Sequence, residues 1–518
     1  MTCTVESSLG GDTPIIPMTS SGTSPRYAPC RIDAAAVRHA EPTQRPCVML
    51  NRRSSRASCR AHGESVRRAR RPGTPAQRST GGIPSTPVRI ARSVRAYRHD
   101  SATAAGSGAP TDMSERPPVT DWATDFDHLS EEWAAQGPEI LADLRERCPV
   151  AQTERFYGAY LVTRHDDIVE TARATDTFSN CITAVNTNHP DNIKLDLSPI
   201  TLDPPEHGPV RRPLLPSFSP KATDELEPTV VAMAERLLDD MGDRKLVDGA
   251  LDFAQLLPVE VMGHLFGVSA EMGPTFRQWV DGMLKEGQID LDIARKASSE
   301  VQEFFASQLA DREAMGDGAP DDLVTMVLNA EAELPDGSTR PFGRKERIGA
   351  LFVLMLGGID TTWSTLGSML FHLGSHPDDL ERLVNEPELM PTAIEEFLRY
   401  YSPVTIARYI TEDADIAGCP VSGGRRVLLS YPSANRDPDY FENPDELILD
   451  RQNNRHMAFG VGVHRCLGSN LARMELRVGL TAWLERYPNF ELAVEPDEVK
   501  WSVGPIRGPR SVPIRILS

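Results

Sequence analysis

From about Thr120 onward, apolar positions recur every three to four residues in long runs, the period of helices with one buried face. This pattern predicts helices over Ala123–Arg147, Ala222–Met241, Phe253–Phe266, Met272–Leu284, Ile293–Met315 and Pro320–Glu331. A longer helix is predicted from about Lys345 to Leu373, with others over His376–Asn385, Leu389–Tyr401 and Leu467–Tyr487. Strand signals are confined to short pieces at Tyr160–Thr163, Ile406–Thr411, Arg426–Ser430 and Ser511–Ile516. The expected fold is mainly α with small β-sheets in a single domain over residues 113–518. No period of 20–50 residues repeats, which excludes a solenoid.

Residues 1–112 break the pattern. They are rich in Arg, Ser, Pro, Gly and Thr and carry no sustained period, so they are expected to be disordered. Two origins stay open: an organelle transit peptide, or upstream sequence read in frame before a true start at Met113. Charge divides at the same place. Residues 1–112 hold 17 Arg, no Lys and 7 acidic residues, which leaves 38 basic and 67 acidic residues for the remainder. An acidic body of that kind repels nucleic acid and anionic membrane surfaces, so neither is an expected partner.

No run of about 18 apolar residues occurs, so no bilayer span is expected. The strongest apolar stretch, Ala350–Leu356, stops at Gly357-Gly358 and Asp360. A soluble, cytoplasmic protein is the expectation. Eight cysteines lie at positions 3, 30, 47, 59, 148, 181, 419 and 466 with no CxxC pair, which favours free thiols in a reducing compartment.

The segment Phe459-Gly460-Val461-Gly462-Val463-His464-Arg465-Cys466-Leu467-Gly468 is the main carrier of chemistry. Two glycines permit a tight hairpin that brings backbone close to a flat ligand. The helical pattern from Leu467 puts Cys466 at a helix N-terminus, where free N–H groups and the helix dipole favour a thiolate. A thiolate is what a soft, electron-donating axial ligand for haem iron must be, and it favours O–O cleavage. An isolated Gly-x-x-x-x-Cys would read as a buried structural cysteine. Here Phe459, both glycines, His464, Cys466 and Gly468 all stand at the spacing of one haem-binding loop, and the chain resembles the cytochromes P450.

The resemblance covers about residues 120–518 and is nearest in look to soluble bacterial members such as the camphor-hydroxylating type. It implies haem b with Cys466 as the iron ligand and with Phe459, Gly460 and Gly468 lining the cofactor. His207-Gly208-Pro209-Val210-Arg211 resembles the propionate-binding segment of an early helix. Arg408 and His464 match other propionate positions, and arginine suits carboxylates through paired N–H groups. Gly357-Gly358-Ile359-Asp360-Thr361-Thr362 resembles the distal acid–alcohol motif. Its glycines weaken the helix, the Thr361 hydroxyl reaches back to the Gly357 carbonyl, and Asp360 with Thr361 would relay protons to bound O2. Glu396-Phe397-Leu398-Arg399 resembles the structural Glu-x-x-Arg pair. The usual third partner is an Arg, but Pro444-Asp445-Glu446-Leu447 has Glu there, leaving Arg451 or Arg436 as substitutes.

The family's reaction would insert one oxygen atom of O2 into a small or medium apolar substrate, by hydroxylation or heteroatom dealkylation. Val353, Leu356, Gly357, Val404 and Ile406 are the expected pocket residues, completed by the 178–200 and 270–295 regions. A terpenoid and an N- or O-alkylated aromatic are both candidate substrates. Electrons would come from NAD(P)H through a ferredoxin reductase and ferredoxin. Arg211, Arg212, Arg465, Arg473 and Arg477 are candidates for a basic docking patch on the cysteine side. The competing readings are a peroxide-driven peroxygenase, which Asp360-Thr361 argues against, and a non-catalytic haem-binding protein.

Overall fold

The computed structural model describes residues 116–186 and 196–517. The segment expected to be disordered, residues 1–112, and the expected start of the catalytic domain at residue 113 lie outside the described residues. Among the described residues the α-helices are α1 (Glu131–Arg147), α2 (His165–Arg173), α3 (His207–Arg211), α4 (Pro220–Met241), α5 (Leu256–Leu265), α6 (Gly273–Leu284) and α7 (Leu291–Met315). They continue as α8 (Leu323–Leu328), α9 (Arg344–Ser375), α10 (Pro377–Asn385), α11 (Met390–Tyr400), α12 (Tyr431–Ala434) and α13 (Ser469–Arg486).

Where the helices depart from the periodic pattern, caps and glycines explain it. α1 starts eight residues later than expected because Ser130 caps it, its side chain accepting from Trp133 N–H. The Phe253–Phe266 helix is preceded by a wider π turn at Gly249–Ala254, where Asp248 accepts from the N–H groups of Ala250 and Leu251. Pro320–Glu331 is helical only over Leu323–Leu328. Asp322 caps that helix, and Glu331 already belongs to a hairpin turned by Pro335-Asp336-Gly337-Ser338.

One five-stranded sheet has the spatial order β1 (Val150–Thr153), β2 (Ala159–Val162), β10 (Arg426–Ser430), β7 (Thr405–Ile410), β3 (Phe178–Ser179). β10 runs parallel to β2, with Arg426 opposite Ala159, and antiparallel to β7, with Leu428 opposite Ala407. A second sheet joins β11 (Phe490–Leu492), β12 (Pro513–Ile516) and β4 (Leu246–Asp248), with β12 at the centre. Two hairpins, β5 (Glu331–Glu333) with β6 (Thr339–Pro341) and β8 (Ala414–Ile416) with β9 (Cys419–Val421), complete the strands.

α9 is the axis of the largest core, packed by α5, α7, α11 and α13. It is the one described helix long and apolar enough to cross a membrane, yet 78% of that apolar window is buried within the protein. Its hydrophobicity is that of a core helix surrounded on all sides. Gly357-Gly358 do not interrupt it, and the helix is continuous from Arg344 to Ser375.

Candidate active site

The cysteine loop is shaped by its glycines. Gly460 and Gly462 adopt φ of 67° and 74°, a region that side chains other than glycine rarely enter. A Cβ on Gly460 would also stand 3.1 Å from the Tyr431 hydroxyl. The loop closes where Cys466 N–H donates to the Phe459 carbonyl at 2.8 Å. Phe459 itself lies under the Arg473 guanidinium, 4.4 Å from ring centroid to cation. α13 begins at Ser469, three residues after the cysteine, so Gly468 rather than Cys466 occupies the cap.

The sequence led us to expect a thiolate stabilised by the helix terminus. The structure changes that account. Cys466 opens on one side to solvent-accessible space, but dense packing on the others pushes its thiol pKa up. The Gly468 N–H and the charges of Arg211, Arg465 and Arg473 pull it back only in part.

Beside the loop stand two imidazoles and a guanidinium whose polar atoms are largely unmatched by the protein. His207 on α3 and His464 in the loop lie with ring centroids 4.3 Å apart. Arg408 on β7 is buried and donates to the Ala407 carbonyl. His207 Nε2, both ring nitrogens of His464 and Arg408 Nε are buried without hydrogen-bond partners. Burial first, and then the neighbouring positive charges, drive His207 down to about 4 and His464 to about 3. The carboxylate nearest to His464 is Asp203, 4.0 Å from Nε2. It is already occupied by the Ser179 hydroxyl and the Asn180 N–H. Buried polar groups are normally satisfied. Orphaned donors gathered beside a lone cysteine fit a flat cofactor that carries two carboxylates and a metal, which is haem. Arg211 points instead to the backbone carbonyl of Arg465.

On α9 the two glycines differ. A Cβ at Gly358 would meet Met262 Sδ at 2.6 Å, whereas nothing lies within 4 Å of one at Gly357. Gly357 thus leaves open space along an otherwise enclosed helix. The Thr361 hydroxyl donates to the Gly357 carbonyl at 2.7 Å, and Thr365 repeats the contact to Thr361 at 2.8 Å. Asp360 is buried and ion-paired with Arg510, whose guanidinium stacks over Trp363 at 4.7 Å.

Glu396 and Arg399 on α11 are both fully buried, 2.7 Å apart. The third partner is Arg451, whose Nε lies 2.9 and 3.0 Å from the two carboxylate oxygens. Asn454 and the Ile448 N–H complete the shell. Arg436 instead binds the Tyr400 carbonyl. Arg399 spans on to the carbonyls of Asn435, Pro444 and Glu446. The pair therefore ties α11 to the segment that leads into the cysteine loop.

A cavity of about 750 Å³ lies against α9, walled by residues between 181 and 201, 283 and 306, and by Arg344, Ile348 and Leu356. Both regions expected to complete the pocket contribute. Of the five named candidates Leu356 lines it; Val353, Gly357, Val404 and Ile406 do not. Met283, Leu284, Ala306 and Ile348 give an apolar part, while Arg295, Gln302, Glu303 and Arg344 give a polar one. Val404 and Ile406 pack against the core of the five-stranded sheet.

The proposed basic patch is largely spoken for. Arg212 pairs with Glu333, Arg473 with Glu395 and Arg477 with Glu227. Arg510, Asp203 and Tyr431, which hydrogen-bonds Arg408, were not singled out from sequence. Each lies far along the chain from the group it serves, and no local motif marks it.

A family model described as Cytochrome P450 matches residues 155–504. The polyketide biosynthesis cytochrome P450 PksS of Bacillus subtilis is 33% identical over 393 residues, covering 73% of this chain and 95% of that protein. Nocardicin C N-oxygenase of Nocardia uniformis is also 33% identical, over 72% of this chain and 94% of its own. The solved PksS structure superposes with a TM-score of 0.68 at 31% identity, covering 76% of this chain and all of that one. CYP109E1 from Bacillus megaterium, solved in complex with testosterone, gives 0.67 at 27% identity over 75% of this chain.

Proposed function

The chain belongs to the cytochrome P450 family of haem-using oxidoreductases, and on that premise we propose that it is a monooxygenase in which Cys466 ligates the iron of haem b. The observation that carries this reading is a loop cysteine two residues from His464, with buried nitrogens of His207, Arg408 and His464 that have no hydrogen-bond partner. When bound, haem supplies the activation of O2 and its division between product and water.

The residues of the chain do the rest. Arg408, His207 and His464 hold the two haem carboxylates, and Arg211 steadies the loop through the Arg465 carbonyl. Phe459, Gly460 and Gly468 belong to the loop that would line the cofactor. Thr361 holds its hydroxyl on the Gly357 carbonyl beside open space, which suits a group that passes a proton at its Oγ1. Asp360 is the acid that resupplies it. Glu396, Arg399 and Arg451 fix the approach to the loop.

The 750 Å³ cavity lies within the range of sites for drug-sized ligands. A medium-sized substrate with an apolar body and one polar end matches its walls better than a wholly apolar one. Relatives named for polyketide biosynthesis and for oxidation of mycinamicin IV support a natural product of that size. Electrons come from separate proteins of the ferredoxin type, and the protein works in solution in the cytoplasm. The deciding experiment is the reduced, CO-bound absorption spectrum of purified protein. A thiolate-type band that is lost in Cys466→Ser supports the assignment; its survival in that variant would falsify it.

A further inference from the structure

A second, small cavity of about 40 Å³ lies among α1, the C-terminal end of α11, α12 and the loop that leads to β12. Its wall carries Arg145, Arg436 and Arg507 and no Asp, Glu or His. None of these residues belongs to the haem constellation. Like charges gathered away from water repel strongly. Burial first, and then Arg436, bring Arg507 down to about 10. Burial also lowers Arg145, where Asp445 and Asp437 offset part of the effect and Arg436 adds to it.

Protein groups satisfy these cations only in part, Arg436 through the Tyr400 carbonyl. Arg145 is 7% exposed and donates through Nη1 to Ser433, at 3.3 Å to the carbonyl and 3.0 Å to the hydroxyl. Arg507 donates to the Ala134 carbonyl at 3.1 Å and stacks on Trp501 at 4.1 Å. Arg436 stacks on Tyr400 at 3.8 Å and stands 3.7 Å from the largely exposed Asp445. Stacking fixes a guanidinium plane and leaves its N–H edge to find acceptors within that plane. Arg145 Nε, Arg507 Nε and the Ser402 hydroxyl are all buried with no hydrogen-bond partner, and all three residues line this one cavity.

We propose that this cavity binds a small monovalent inorganic anion of the chloride class, held by Arg145 Nε, Arg507 Nε and Ser402 Oγ. Asp437 and Asp445 offset Arg145, and Glu139 offsets Arg507, from outside the cavity wall, while inside it the donors are hydrogen-bonding groups without acceptors, which suits an anion. The volume admits something of the size of one or a few water molecules and excludes an organic acid of substrate size. A bound anion joins α1, the end of α11 and the loop carrying Arg507, so it acts as an internal clasp for the helix that bears Glu396 and Arg399.

The test uses the haem-loaded protein. Thermal unfolding is followed at constant ionic strength while sodium chloride or bromide replaces sodium gluconate, whose anion is too large for the cavity. The expected result is a saturable rise in Tm with either halide. Ser402→Ala should raise the half-saturating concentration roughly tenfold, the effect of one lost hydrogen bond to a charged group, and Arg507→Gln should abolish saturation. Crystals soaked in bromide should show an anomalous peak among the three arginines. A rise that follows ionic strength alone, an unchanged midpoint in Ser402→Ala, or only water in the soaked crystals overturns the proposal.

Discussion

Arg510, near the end of the chain, grips the carboxylate that precedes Thr361: its Nη1 stands 2.5 Å from Asp360 Oδ1 and its Nη2 3.4 Å from Oδ2. The acid is 2% exposed. Removing one partner of such a pair strands a buried charge, which costs far more than the pair itself contributes. Arg510→Leu should therefore destabilise the protein by about 3 kcal/mol in urea unfolding. Adding Asp360→Asn to that variant should recover most of the loss. Additive losses in the double variant would show that the two groups do not depend on each other.

Asp360→Asn alone tests the chemistry, and is read on folded, haem-loaded protein because it leaves the Arg510 guanidinium without its partner. With the carboxylate gone, product formation should fall roughly a hundredfold, while the CO spectrum stays as in the parent protein. Turnover at the parental rate would remove Asp360 from proton delivery.

For Thr361→Ala the expected outcome is uncoupling. NADH should be consumed and peroxide released with little product, since the hydroxyl held on Gly357 is lost. The check is the ratio of peroxide to product in a system reconstituted with ferredoxin and its reductase. Product from added peroxide without those partners, at a rate matching the NADH-driven one, would favour the peroxygenase reading.

The adjacent glycines should respond in opposite ways. Gly358→Ala drives a methyl group into Met262 and should cost ~1–3 kcal/mol through overpacking. Gly357→Ala meets nothing and should gain up to ~1 kcal/mol of helix propensity. Its effect belongs in the activity assay, because the methyl enters the open space beside Thr361. Equal losses of stability would contradict the packing described for α9.

His128 gives the acid limb of stability. Burial brings it down to about 4 from an ordinary value near 6.5, and its Nε2 donates to the Val185 carbonyl. The unfolded chain takes up this proton near pH 6.5, whereas the folded one does not until about pH 4. Stability should accordingly fall as pH drops through that window. His128→Gln, which keeps an N–H donor, should flatten the slope between pH 6.5 and 4.5 by up to one proton. An unchanged slope in urea titrations would place the titrating group elsewhere.

Sequence revealed most where the determinants are local. The cysteine loop was legible because glycine, histidine and cysteine sit at fixed offsets within ten residues. α9 was legible because apolar residues persist around its circumference. Arg451 could be narrowed to one of two arginines, since its meeting with Glu396 depends on how residues 442–451 fold back. Arg510 gave no signal at all: it reaches Asp360 across 150 residues, and only tertiary packing brings them together. The polar side of the cavity against α9 was not legible for a related reason. Residues 283–306 present Gln302 and Glu303 as well as Ala306 to the cavity, and one helix period cannot reveal which neighbour each face will meet.

The pairing of β2 with β10 sets Ala159 beside Arg426, and the cationic cradle draws His207 together with Arg408 and His464. Neither arrangement can close until the segment carrying its later partner, Arg426 in one case and His464 in the other, has been made. A truncation that removes the cysteine loop should therefore leave His207 and Arg408 without His464 and accumulate as colourless protein rather than as weakly active enzyme.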